Sequence, residues 1–344
     1  MITLFLFMIC SSCYHHVEEK RFLFEEELTG VFFPIHETFS PSDMYICNNY
    51  LILHQGSTGS NMPDIFFQVY TLTDYTYLGS FGQRGRGPGE WLLPDIIYSQ
   101  SPYLYLWDVS SRRSTAAIYK IQLDSMAHPT TIDTFWVEKG YNTMNHPVIR
   151  KDSLLVFDEF IPEAAIRVYH LKEDLPVLTM EYGAGSSLEN RSTDENRGLL
   201  YANDSCLVFL YVLKDQIDIL DWNLKLKKRR SFQKSTPVIY QHEDVIDNVR
   251  YYDYSFLGEH FLYTFYYGMS PKEMLEKNYR GHTLDVFDLE GTPIYRYTFS
   301  GFEPLTFVVD EPTFTLYGYR GHDGLEDSIS VYHLSGLKEY LQNR

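Results

Sequence analysis

The stretch "YLYLW", Tyr103–Trp107, is a short apolar run, rich in aromatic residues, of the kind that fills a buried strand. It has five counterparts: "YLILH" (50–54), "SLLVF" (153–157), "CLVFL" (206–210), "FLYTF" (261–265) and "FTLYG" (314–318). Successive starts are separated by 53, 50, 53, 55 and 53 residues. A second series follows each member: "VYTL" (69–72), "IYKI" (118–121), "VYHL" (168–171), "ILDW" (219–222), "VFDL" (286–289) and "VYHL" (331–334). Two interleaved series with nearly one period are the mark of a repeat architecture, and about fifty residues per unit fits a four-stranded propeller blade. The expectation is an all-β, six-bladed β-propeller.

Within a unit the first series is the second strand and the second series the third. An inner strand precedes them, as "PDIIYSQ" precedes "YLYLW", and an outer strand follows, as "PTTIDTFWV" follows "IYKIQL". Turn-forming residues separate them in "NDSC", "LEGTP" and "RKDS". After the last third-strand segment only "SGLKEYLQNR" remains, which reads as a short helical tail. The sixth unit therefore lacks an outer strand, and "EEELTGVFFP", Glu25–Pro34, is expected to supply it, closing the ring and covering a sheet edge. The 67-residue step in the second series reflects "MSPKEMLEKNYRGH" in the fifth unit. There Ser270, Pro271 and Glu273 start a helix as N-cap, first residue and capping-box partner. Lys277, Arg280 and Gly281 end it after about ten residues, or roughly 15 Å.

Composition agrees with a strand-rich globular chain. Of 344 residues 44% are hydrophobic and 16% aromatic, which favours half-buried pleated surfaces. The net charge of −17 argues against nucleic acid, which demands a basic face. The basic run "KLKKRR", Lys225–Arg230, reads as a solvated outer hairpin. Of the cysteines, Cys47 and Cys206 are expected as two separate buried thiols, a disulfide between them being the alternative.

The glycine-rich stretch "FGQRGRGPGEW", Phe81–Trp91, matches no phosphate cradle. It lacks the Lys of a P-loop, and Glu90 stands where a dinucleotide-binding turn requires a small residue. It joins the outer strand of the first unit to the inner strand of the second, so Gly82, Gly85, Gly87 and Gly89 read as a corner. A weaker echo, "YGAGSSLE" (182–189), occupies the equivalent junction two units later. At the amino terminus, "MITLFLFMICSSC" carries an apolar run too short to span a bilayer, then small residues before Cys13. "CSSC" resembles a bacterial lipobox.

With that junction, the fifty-residue pattern and "CSSC", the sequence resembles the TolB-like, NHL-related six-bladed β-propeller lipoproteins typical of Bacteroides and relatives. The resemblance implies export, a lipid anchor on Cys13 and junction roles for the four glycines. It supplies no catalytic position. The expected division is a signal segment at 1–13, a polar tether at 14–24 and the propeller at 25–344, held in the cell envelope by its lipid alone.

No nucleophile elbow, HExxH, paired CxxC or EF-hand loop is present, and His170 and His333 read as strand residues, so neither a metal nor a cofactor is expected. The candidate ligand-binding residues lie on loops of one rim. Gln83, Arg84, Arg86 and Glu90 share that face with "YRGH" at 279–282 and 319–322, which adds Arg280, His282, Arg320 and His322. The arginines form a cationic rim suited to carboxylate, sulfate or phosphate, or else pair with Glu90, Asp323 and Glu326. Two function classes follow. One is a monomeric, non-catalytic binding or scaffold module for a glycan, peptide or envelope protein. The other is a lyase or hydrolase with its site at the channel mouth.

Overall fold

The computed structural model describes residues 19–36, 41–56, 63–87, 89–109, 116–137, 144–159, 164–173, 175–182, 194–233, 238–240, 242–277, 282–301, 303–319 and 328–344. The chain opens with β1 (Phe24–Thr29) and β2 (Val31–Pro34). A four-stranded meander follows: β3 (Asp43–Cys47), β4 (Tyr50–His54), β5 (Ile65–Thr71) and β6 (Tyr77–Gln83). The next holds β7 (Asp95–Ser99), β8 (Leu104–Val109), β9 (Ala116–Leu123) and β10 (Pro129–Val137). Then come β11 (Met144–Arg150), β12 (Leu154–Glu159), β13 (Ala165–His170) and β14 (Leu175–Glu181). After them run β15 (Gly198–Ala202), β16 (Leu207–Tyr211), β17 (Gln216–Leu220) and β18 (Leu226–Ser231).

A 3-10 segment, His242–Asp247, leads to β19 (Arg250–Leu257) and β20 (Phe261–Met269). Helix α1 (Pro271–Glu276) precedes β21 (Thr283–Asp288) and β22 (Pro293–Ser300). The chain finishes with β23 (Thr306–Asp310), β24 (Thr315–Tyr319), β25 (Ser328–His333) and α2 (Ser335–Gln342).

The arrangement is propeller-like, but the expectation of a six-bladed propeller is corrected: four blades are present. Four sheets of four or five strands stand alone: β3-β4-β5-β6, β15-β16-β17-β18, β2-β25-β24-β23 and β1-β22-β21-β20-β19. The remaining two meanders form one eight-stranded sheet, because β7 and β11 pair in parallel through Val148 with Tyr98 and Ile149 with Ser99. A sequence period locates strands within a unit; it carries no information on whether the first strands of neighbouring units hydrogen-bond to each other.

The closing segment also differs from the expectation of one strand. Glu25–Pro34 is split at Gly30. β1 adds in parallel to the edge of β22, and β2 adds antiparallel to β25. Gly30 permits the step because a Cβ there would stand 2.6 Å from the Tyr332 ring. One short leader thus covers the exposed edges of two sheets. The residues before it, within the expected tether, are docked too. Phe22 is buried, and the Lys20 ammonium lies 3.2 Å from both Asp215 and Asp285 and 3.4 Å from the centroid of Tyr266.

Burial explains the strand pattern. Middle strands are covered on both faces by neighbouring sheets, so β16 and β24 are buried at every position. Outer strands face solvent on one side, and the basic run lies on the largely exposed β18. The core is divided into clusters between successive sheets. One joins Leu106 and Phe67, and another joins Phe265, Phe307 and Tyr332. The halves of the eight-stranded sheet also pack together, with Trp107 and Phe135 of one in the same cluster as Phe157 and Tyr169 of the other. Turns between third and fourth strands reuse one device. Asp124, Asp221 and Asp288 each accept main-chain N–H groups two and four residues ahead, at 2.8–3.0 Å.

Helix α1 starts as expected, with Ser270 and Glu273 forming a reciprocal capping box. It runs for six residues rather than ten and ends at Lys277, where the cap N–H bonds back to Glu273. Arg280 and Gly281 lie outside the described residues. Cys47 and Cys206 are buried free thiols. No helix among the described residues is long and apolar enough to cross a membrane.

Candidate functional site: an axial cavity

The glycine corner folds upon itself. Gly85 N–H donates to Trp91 O at 2.9 Å, and Trp91 N–H donates to Gln83 O at 3.0 Å. Gly82 and Gly89 have φ of +84° and +77°, where a side chain would be strained. A Cβ on Gly85 would meet the Glu90 carboxylate at 1.9 Å, and that carboxylate accepts the Gly87 N–H at 2.7 Å. Glu90 therefore faces into its own loop. Trp91 is buried edge-on to Phe81 and Tyr119, wedging the first sheet against the next.

Gln83, Arg84 and Arg86 are exposed. Arg84 pairs with Asp64 at 3.3 Å, a solvent-screened contact of small energetic weight. His282 is buried against Phe265, 3.9 Å between ring centroids, and so contributes to packing. Cys13, Arg280, Arg320 and His322 lie outside the described residues, as do Asp323, Glu326 and most of the "YGAGSSLE" echo. None of the described rim candidates lines the axial cavities.

Those cavities lie between the first strands, β3, β7, β11, β15, β19 and β23, and occupy opposite ends of one channel. The larger, of about 610 Å³, is at the ends of these strands, where tight turns lead to the second strands. The smaller, of about 280 Å³, is at their beginnings. Tyr98, Phe256 and Val308 border both and form a floor between them. Tyr98 and Phe256 meet edge-to-face at 5.6 Å.

At the larger end the principal acid is committed to the fold. Glu311, 7% exposed, accepts N–H groups of Glu259, His260 and Phe261 at 2.6, 3.0 and 3.1 Å and the Tyr263 hydroxyl at 3.1 Å. It ties β23 to the turn after β19. Burial raises its carboxyl above the ordinary range, and these donors pull it back.

The smaller cavity carries the chemistry. Asp43 and Asp95 begin β3 and β7, Asp253 sits on β19, and His146 near the start of β11 is held by Asp158 at 3.0 Å. Aromatic wall comes from Tyr98, Tyr201, Tyr254, Phe256 and Phe307. Asp43 accepts the Met44 N–H at 2.7 Å and the hydroxyl of Tyr254 on β19. Burial raises the Asp43 carboxyl, against the opposing Tyr254 hydrogen bond, and burial likewise raises Asp253 against Arg250 and Tyr267. Asp95 has 49% of its side chain open to the lumen, yet protein walls surround it. Burial pushes its carboxyl up to about 6, with the Ile96 N–H and His146 opposing.

Behind Asp95 lies His54, 4% exposed and stacked on Phe67. Its Nε2 is 3.0 Å from the Pro94 carbonyl, and its Nδ1 is 3.6 Å from Asp95 Oδ1. Burial lowers the imidazole below its ordinary value, while Asp43 and the Pro94 carbonyl pull upward. No group of three or more His, Cys, Asp or Glu residues suited to a metal occurs among the described residues.

These lumen residues escaped the sequence reading. Asp43, Asp95 and His146 stand 52 and 51 residues apart, one polar residue at or near the start of three successive first strands. That spacing was the available signal, and it is visible only after the first strands are aligned.

Comparison with solved structures agrees on architecture. A predicted exported protein from Bacteroides fragilis superposes with a TM-score of 0.56 at 12% identity, covering 90% of this chain and 98% of that one. A member of the duf4221 family from Bacteroides vulgatus gives 0.53 at 15% identity, covering 89% and 97%. At such identities the likeness is one of fold. No family model matches the chain, and no curated protein does.

Proposed function

We propose that the protein is an exported binding module, monomeric and lipid-anchored through Cys13, that takes the end of a glycan, peptide or envelope protein into the smaller axial cavity. The single observation behind this reading is a cavity of about 280 Å³, walled by aromatic faces and carboxylate acceptors. Binding is favoured over lyase or hydrolase chemistry because Asp43 and Glu311 are engaged in hydrogen bonds within the fold. Export is supported by the apolar amino terminus with "CSSC" and by the description of the Bacteroides fragilis neighbour. Kinship with the TolB-like, NHL-related lipoproteins belongs to the same proposal and rests on the glycine junction.

A glycan and peptide array probed with the full chain tests the reading when three variants are compared. Leu199→Trp fills the cavity, and Arg84→Ala and Arg86→Ala alter the rim. Array signals lost in Leu199→Trp and kept in the arginine variants support the cavity. The opposite pattern overturns it in favour of the rim. Cys13→Ala is expected to release the protein from the membrane fraction, and unchanged fractionation removes the anchor.

A further inference from the structure

We propose that the smaller axial cavity binds a ligand bearing a primary ammonium group, seated on Asp95 with its remaining atoms against the aromatic wall. The proposal rests on the binding-module reading above and names the ligand chemistry. A carbonyl oxygen only accepts hydrogen bonds, so the 3.0 Å contact with Pro94 O assigns a hydrogen to His54 Nε2. Nδ1 is then buried without a hydrogen-bond partner and faces Asp95 Oδ1 at 3.6 Å. An imidazole lone pair opposite an ionised carboxylate is repulsive. A proton on Asp95 relieves it, and burial raises that carboxyl to about 6.

The surroundings favour replacing that proton by a cation. Asp95 is faced by Asp43 from β3, by His146 with Asp158 behind it, by Tyr201 from β15 and by Asp253 and Tyr254 from β19. β23 contributes only Phe307 and Val308. Arg250 and Arg197 act on Asp253 through their charges, and no Lys or Arg is among the described residues lining the cavity. An anionic ligand would meet three carboxyls with no Lys or Arg on the described cavity wall. An ammonium finds the half-open Asp95 carboxylate as acceptor and the faces of Tyr98, Phe256 and Phe307 for its carbon skeleton. When R–NH3⁺ binds, its N–H donates to Asp95, and any proton held there passes to solvent. No covalent bond changes.

The affinity therefore rises with pH as Asp95 ionises, through about 6, and falls again only when the ligand amine itself deprotonates.

Paired probes on the full chain provide the test: glucosamine against glucose, and butylamine against 1-butanol. Each is titrated by calorimetry at pH 5 and 7.5, with aromatic fluorescence of the cavity as second readout. The expected result is an ammonium advantage of about tenfold at pH 7.5. It should shrink at pH 5 and vanish in Asp95→Asn, whose thermal melting shows that it folds. Equal or tighter binding of the neutral twins overturns the ammonium inference while leaving the cavity as the binding site. If no probe of either kind perturbs the cavity, both readings fall.

Discussion

The hydroxyl of Tyr98 donates to the carbonyl of Leu257 at 3.1 Å, joining β7 to β19 through the middle of the channel. With Phe256 and Val308 beneath it, this contact makes two chambers of one passage. Tyr98→Phe removes the hydrogen bond and keeps the ring, and should cost about 1 kcal/mol in denaturant unfolding. Tyr98→Ala removes the floor itself, should cost about 3–5 kcal/mol, and should join the chambers in a structure of the variant.

Lys20 is the second brace. Its ammonium is shared by Asp215 and Asp285, with Tyr252 Oη at 3.3 Å, and Asp285 is also gripped by Arg296 through two 2.8 Å bonds. Burial lowers the lysine pKa, with Asp285 and Asp215 opposing. Lys20→Met leaves those carboxylates without one of their cations and should destabilise by about 3–5 kcal/mol. Urea unfolding measures it. An unchanged midpoint means that Lys20 is not docked in solution.

The split leader gives a third expectation. Deleting residues 25–34 uncovers the edges of both β22 and β25, so the product should be protease-sensitive or insoluble. Gly30→Val acts at a single point, driving side-chain atoms into Tyr332, and should cost about 1–3 kcal/mol. Limited proteolysis of both variants reads the outcome, and wild-type resistance in the deletion refutes the leader's role.

Asp95 gives a dependence of stability on pH whose sign is fixed. Its folded carboxyl titrates near 6, above the ordinary value of 3.8, so the folded state holds the proton more tightly than the unfolded chain. Its contribution is fully present below about 4 and is lost as pH rises through 6. Asp95→Asn should therefore match the wild type at pH 3.5 and exceed it at pH 7.5. The difference should be no more than about 1 kcal/mol, because the half-open side chain is screened. Thermal melts at the two pH values check this, and a variant less stable at pH 7.5 contradicts it.

The legibility of the fold followed from what each feature depends on. The runs "YLILH" to "FTLYG" fall on or across β4, β8, β12, β16, β20 and β24, because strands buried on both faces must be apolar. The capping box of α1 is local chemistry within Ser270–Glu273 and was equally readable. The pairing of β7 with β11 rests on two backbone contacts without a side-chain signature, so separate sheets were expected where one is shared. The division at Gly30 depends on Tyr332, some three hundred residues away in sequence. The cavity was hidden for the same reason. Asp43, His54 and Asp95 meet only when neighbouring sheets are side by side, whereas the arginines of the glycine corner cluster in the chain and so draw the eye.

The pairing of Phe24 with Tyr295 and of Val31 with Val331 has a temporal side. The leader is synthesised first, but its partners are made last. At about 5–20 residues per second, roughly 15–60 s of translation separates the two. Throughout that interval β1 and β2 have no sheet edge to join, and the leader stays unpaired until the carboxyl-terminal strands arrive to claim it.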